Sequence, residues 1–143
     1  MTNFYSTLTA DLPDGWSGKE SITLLAPDAQ ANVIASNESL DPSIDSHQYA
    51  DIQAGLLRSE FPGYREFSFG KRTVFGTRTG FERVFQWTPP DGVPVTQIQL
   101  YYASGSRGYT VTATTPSRLF PSVESVLRKI LDSLAIVPPQ PRE

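Results

Sequence analysis

Apolar and polar positions alternate with a period of two through most of this chain and change to a helical period in two places. Residues 4–11 (FYSTLTAD) alternate loosely and predict a first strand. Pro13-Asp14-Gly15 then predicts a turn, because Pro presets φ and Gly accepts a positive φ. Residues 21–26 (SITLLA) predict a short strand with Ile22, Leu24 and Ala26 on one face. Residues 31–37 (ANVIASN) predict the next, with Val33 and Ala35 opposed to Ile34. Leu40-Asp41-Pro42 breaks the extended run, and Ser46 is the expected N-cap of a helix carrying Tyr49, Ile52, Leu56 and Leu57 near helical spacing. Gly55 costs that helix about 1 kcal/mol relative to Ala, and Pro62-Gly63 ends it.

Residues 81–115 carry the strongest strand signal. Phe81, Phe85 and Trp87 fall on one side of the first run, with Arg83 among them, and Val84 shares the other side with Glu82 and Gln86. Pro89-Pro90-Asp91-Gly92 is a turn. The next run sends Ile98, Leu100 and Tyr102 one way and Gln97, Gln99 and Tyr101 the other. Residues 104–108 turn again, and Tyr109, Val111 and Ala113 then alternate with a row of Thr110, Thr112 and Thr114 that suits a solvated strand face. Ahead of these, residues 64–70 and 72–79 predict two further strands, the second interrupted by Gly76.

The closing element is a helix. Pro121 fits its first turn, and Val123, Val126, Leu127, Ile130, Leu131 and Leu134 form its apolar stripe. Glu124 and Arg128 are set to pair at i,i+4. The order β-β-β-α, then three to five strands, then α predicts one α+β domain over residues 1–137: an antiparallel twisted sheet of about six strands with both helices against one face. A Pro-rich tail, residues 138–143, follows.

Composition narrows the function. The 143 residues suffice for one core. A net charge of −3 with scattered Lys and Arg gives no basic face for nucleic acid. The absence of Cys excludes disulfides, thiolate metal sites and a Cys nucleophile. The first twelve residues have no signal-like start, and no run of 18 apolar residues occurs, so a cytoplasmic protein that does not insert into a membrane is expected.

Candidate chemistry is sparse. His47, the single histidine, lies between Asp45 and Asp51 and would be the base of a small enzyme of cone-shaped α+β type; read plainly, it is an exposed residue at a helix start. Asp11, Asp14, Glu20 and Asp28 form no recognisable catalytic pair, and residues 104–108 (SGSRG) lack the strand-loop-helix context and the Lys of a phosphate loop. No metal or cofactor is implied. What remains is the sheet: an open face of apolar and amide residues would suit a partner segment, and the alternative is that loops or a second subunit cover it.

Several short motifs then point to a family. Leu12-Pro13-Asp14-Gly15-Trp16, Ser21-Ile22-Thr23-Leu24, Phe61-Pro62-Gly63-Tyr64, Thr96-Gln97-Ile98-Gln99-Leu100 and Thr114-Thr115-Pro116 before the last helix together resemble the DcrB-related family, with a PsbP-like fold. Asn37 stands where members often carry Arg. Among them the chain is most similar to the Eag chaperones of type VI secretion. The resemblance implies a cytoplasmic homodimer that shields the apolar N-terminal transmembrane helices of a secreted effector. It further implies a groove of Ile22, Leu24 and Ile34, with Gln97 or Gln99 as the amide. A PsbP-like accessory or assembly protein is the alternative.

Overall fold

The computed structural model describes residues 2–5 and 9–136, with side chains from Ala10 onward. It is an α+β structure. β1 (Thr2–Tyr5) and β2 (Thr9–Leu12) pair with each other as a separate two-stranded sheet. The main sheet has six antiparallel strands: β3 (Lys19–Leu25), β4 (Asn32–Ser39), β5 (Arg65–Val74), β6 (Arg78–Trp87), β7 (Val95–Ser104) and β8 (Arg107–Pro116), in the spatial order β3-β4-β8-β7-β6-β5. α1 (Ser46–Glu60) joins β4 to β5, and α2 (Phe120–Ser133) follows β8 after a short 3-10 turn.

The predicted interruption at Gly76 is the hairpin turn itself. Phe75 and Gly76 both take a positive φ there, so residues 65–87 make two ten-residue strands rather than three short ones. The first strand expected over residues 4–11 is likewise split between β1 and β2.

The two helices lie on opposite faces of the sheet, not on one as expected. Residues opposite each other in an antiparallel pair share a face. Val33, Val84, Ile98, Leu100, Val111 and Ala113 form one core with Leu127 and Leu131 of α2. Tyr101 belongs to a second core with Tyr49 and Ala50 of α1. Strands β6 and β7 carry bulky groups on both sides, such as Val84 and Phe85, or Leu100 and Tyr101, all buried. A sheet centre of that kind needs cover on both faces.

Each helix is anchored differently. On α2, Leu127 and Leu131 are buried, each worth roughly 1.5–3 kcal/mol. Arg128 pairs with Glu124 at 2.8 Å, as the i,i+4 spacing predicts, and also reaches Glu82 at 2.8 Å. Glu82 in turn holds Arg72, which also meets Asp132, so the charges fasten α2 to β5 and β6. On α1, the cap is Asp45, one residue before the expected Ser46. Asp45 and Gln48 bond reciprocally as a capping box at 2.8 and 2.9 Å. Ser46 Oγ instead accepts from the Ala103 backbone N–H at 2.9 Å, tying the helix start to the end of β7.

Candidate functional site

α1 packs over β7 and β6 and meets the sheet through Tyr49, Ala50, Ala54 and Leu57. The two alanines let it approach closely, because the space beneath is already filled. Below them lie Tyr101, Phe85 and the guanidinium of Arg83, which is 2% exposed. Arg83 donates to Glu66 at 2.8 Å, to the Tyr101 hydroxyl at 2.8 Å and to the Ala50 carbonyl at 3.3 Å, and its guanidinium carbon lies 4.4 Å from the Phe69 ring centre. Burial pushes the Tyr101 phenol far above its ordinary pKa, and the adjacent Arg83 opposes this only in part, so Tyr101 stays a neutral donor. It donates onward to Gln99, whose amide donates to Thr112 at 3.1 Å. Gln97 forms a parallel rung, accepting from the Trp87 indole at 2.9 Å and donating to Thr114 at 2.8 Å.

Gln97 and Gln99 are therefore buried beneath α1 with their amides engaged. The threonine row read as a solvated face is half-buried and supplies hydrogen-bond partners for this layer. Its first member, Thr110, bonds the Tyr49 hydroxyl at 2.9 Å. Tyr49 can lie so low because Gly108 is beneath it: a Cβ there would come within 2.8 Å of the ring.

Beside α1 the same face continues across β8, β4 and β3, with no helix above it among the described residues. The floor of this trough is Thr112 and Thr114 of β8, Ile34 and Ser36 of β4, and Leu25 of β3. Its wall is α1. Ile52 and Leu56 follow Tyr49 at i+3 and i+7, so they continue the stripe that Tyr49 directs at β8 and β4. Ile34 is 39% exposed, Ile52 48%, Leu56 47% and Leu25 73%. Three strands about 4.8 Å apart leave a width that matches one helix of roughly 10–12 Å diameter. Asn32 Oδ1 is buried at the trough's end, opposite Thr114, without a hydrogen bond.

The five residues expected to line a single groove are divided by the sheet. Ile34, Gln97 and Gln99 share the α1 face. Ile22 and Leu24 pair opposite Ala35 and Val33 and so belong to the α2 face, at the sheet's edge, 55% and 41% exposed. The alternation sets Ile34 against Val33 and Ala35, and the pairing register then places Ile22 and Leu24 with the latter two. Ile52 and Leu56, read as the helix's packing stripe, are the wall instead. Ala50 and Ala54 mark the true contact stripe, a signal that a search for large apolar residues passes over.

His47 Nδ1 lies 3.2 Å from Asp51 Oδ2, and both side chains are more than half exposed. Its ring meets Phe81 edge-on, centroids 5.1 Å apart. Two surface hollows, one lined by residues 58–64 and one by residues 72–76 with Leu131 and Asp132, do not include it. Among the described residues no group of three or more His, Cys, Asp or Glu is placed to hold a metal ion. Glu20 and Asp28 serve local contacts, to Asn37 Nδ2 and the Gln30 backbone N–H. His47→Ala is expected to change stability by no more than about 0.5 kcal/mol and to leave partner binding intact, as read by denaturant midpoint and co-purification.

Comparison of the sequence with family profiles and with curated proteins finds no match. Solved structures do share the fold. A Pseudomonas aeruginosa protein of unknown function, PA94, suggested to be a regulator, superposes with a TM-score of 0.70 at 17% identity, over 96% of this chain and 98% of that one. LpqN of Mycobacterium tuberculosis, involved in cell envelope biogenesis, superposes with a TM-score of 0.58 at 16% identity, over 79% of this chain and 66% of that one. At such identities the likeness is one of fold. No described helix is long and apolar enough to cross a membrane.

Proposed function

We propose that this domain is a non-enzymatic binding module that shelters an apolar helical segment of another protein. In the fuller form of this reading it is a cytoplasmic chaperone or adaptor for the N-terminal transmembrane segments of a type VI secretion effector. The observation that carries the binding role is the helix-wide trough beside α1, with aliphatic groups on wall and floor. An apolar helix in water seeks such a surface, and burying it is worth roughly 25 cal/mol per Å². The threonine hydroxyls of the floor give it polar points to satisfy, which suits a segment carrying an occasional Ser or Thr. The effector identity rests on the resemblance to the Eag chaperones and on no geometric feature.

Co-expression tests it. A reporter fused to an apolar segment of about 20 residues, long enough to span a bilayer, is expected to stay soluble and co-purify with this protein. The same reporter with a polar helix should not. An apolar fusion that aggregates equally with and without this protein overturns the reading.

A further inference from the structure

One row of residues crosses the α2 face from edge to edge. Arg72 of β5 pairs with Gly80 of β6, which comes one step before the Phe81–Tyr101 pair and so falls beside Tyr102 of β7. Tyr102 pairs with Tyr109 of β8, Tyr109 with Asn37 of β4, and Asn37 with Glu20 of β3. The last turn of α2 is fixed over the β5 end of this row, where Asp132 meets Arg72. Because α2 starts directly after β8 and ends over β5, the part of the row from Tyr109 to Glu20 has no helix above it among the described residues. Three rings gather there: Tyr102 and Tyr109 lie 5.9 Å apart, and Phe75 packs on both at 6.0 and 5.7 Å between centroids. Among the described residues the Tyr109 hydroxyl has no hydrogen-bond partner, and Glu20 meets the Asn37 amide at 3.5 Å but pairs with no cation. Open aromatic rings beside a hydroxyl donor and a carboxylate are the chemistry that takes a polyproline II segment.

We infer that this row seats a polyproline II segment and that its occupant is the chain's own tail, residues 137–143, with Arg142 meeting Glu20 at the β3 edge. Those seven residues lie outside the described part of the chain. Their sequence suits the seat: Pro138-Pro139-Gln140-Pro141 is a PxxP run, in which the proline rings fix φ and hold each preceding residue extended. The approach suits it too. Leu134, the first residue past α2, has φ −67° and ψ 142° and packs on the α2-face core, so the chain leaves the helix on this face with polyproline II angles. The lengths agree. From Leu134 to Arg142 is eight residues, about 25 Å at about 3.1 Å each, and from β5 to β3 is five strand spacings, about 24 Å at about 4.8 Å each. Charge agrees as well, since Arg142 arrives where Glu20 lacks a cation. A polyproline II backbone keeps its carbonyls unbonded, so the Tyr109 hydroxyl has an acceptor to meet. Tethering selects the chain's own tail over a free segment, because a short linker holds it at a local concentration in the millimolar range. The seat is on the face opposite the trough beside α1 and does not depend on it.

Cysteine cross-linking reads the path, because the natural chain has no cysteine. Glu20→Cys with Arg142→Cys is expected to close a disulfide within one chain on mild oxidation, seen as faster migration in a non-reducing gel. Changing Pro138, Pro139 and Pro141 to Ser in that double variant leaves every described contact in place and should slow closure at least tenfold. Deleting residues 137–143 from the natural chain should shift the nuclear magnetic resonance signals of the Tyr102 and Tyr109 rings. A synthetic peptide of those seven residues, added to the shortened chain at millimolar concentration, should return them. The same peptide with Arg142→Glu should bind at least tenfold more weakly, and Glu20→Lys in the shortened chain should restore it. Closure at an equal rate with the three serines overturns the inference, because the tail then reaches the cysteine without being seated. Ring signals that ignore the deletion overturn it as well. A covalent dimer in place of the closed monomer gives the row to the tail of a second copy. A shortened chain that ignores its own peptide but binds an unrelated PxxP peptide gives the row to another protein. Either result overturns the assignment to the chain's own tail.

Discussion

Arg83→Ala is expected to destabilise the domain by about 3 kcal/mol, the low end of the range for removing one partner of a buried ion pair, because Glu66 keeps part of its side chain in solvent. The guanidinium is 2% exposed, and three acceptors from three elements converge on it: Glu66 of β5, Tyr101 of β7 and the Ala50 carbonyl of α1. Truncation leaves the Glu66 carboxylate, 35% exposed, with the Tyr64 hydroxyl still donating to it at 3.2 Å, and opens a void under α1. Tyr101 keeps its bond to Gln99, so the polar layer is weakened rather than erased. Native domains have only about 5–15 kcal/mol in all, so a large part of the stability should go. The double change Arg83→Met with Glu66→Gln removes both charges and should recover a substantial share of the loss. Chemical denaturation of the three proteins checks this. A single-mutant loss under about 1 kcal/mol would show that the pair contributes little.

The same residue marks where sequence pattern stops being informative. Alternation placed Arg83 in a row with Phe81 and Phe85, which is the face it occupies. A charge among aromatic rings is ambiguous in sequence, because its burial depends on partners from distant positions, here residues 50, 66 and 101. The long periodic segments were legible: β7, β8 and α2 follow their period-two and helical patterns closely, because each sets a regular apolar row into one core, Ile98 and Leu100, Val111 and Ala113, Leu127 and Leu131. The strand over residues 4–11 was misjudged because loose alternation does not distinguish one strand from a hairpin. The site was only partly legible for a related reason. A period of two states which residues share a face of one strand, and the pairing register is needed to carry that face to the next. The register puts Ile22 opposite Ala35, so Ile22 and Ile34 part company although both were expected to line one groove.

That division decides how the trough should be probed. Ile34→Asp and Leu56→Asp are expected to reduce capture of an apolar helix at least about a hundredfold, close to 2.7 kcal/mol, because a carboxylate on the floor or wall must be desolvated by the incoming segment without a partner. Both side chains are well exposed in the free protein, 39% and 47%. Their substitution should therefore cost the fold little, near the ±0.5 kcal/mol of ordinary surface changes. Ile22→Asp lies on the opposite face, at the edge of the sheet. It is expected to leave capture unchanged. Titrating a labelled apolar peptide against each variant, alongside thermal melts and light scattering, separates these effects. If Ile22→Asp or Leu24→Asp abolishes capture while Ile34→Asp binds normally, the partner lies on the α2 side, against Val126 and the edge of β3. The trough beside α1 would then be only a half-covered face of the sheet.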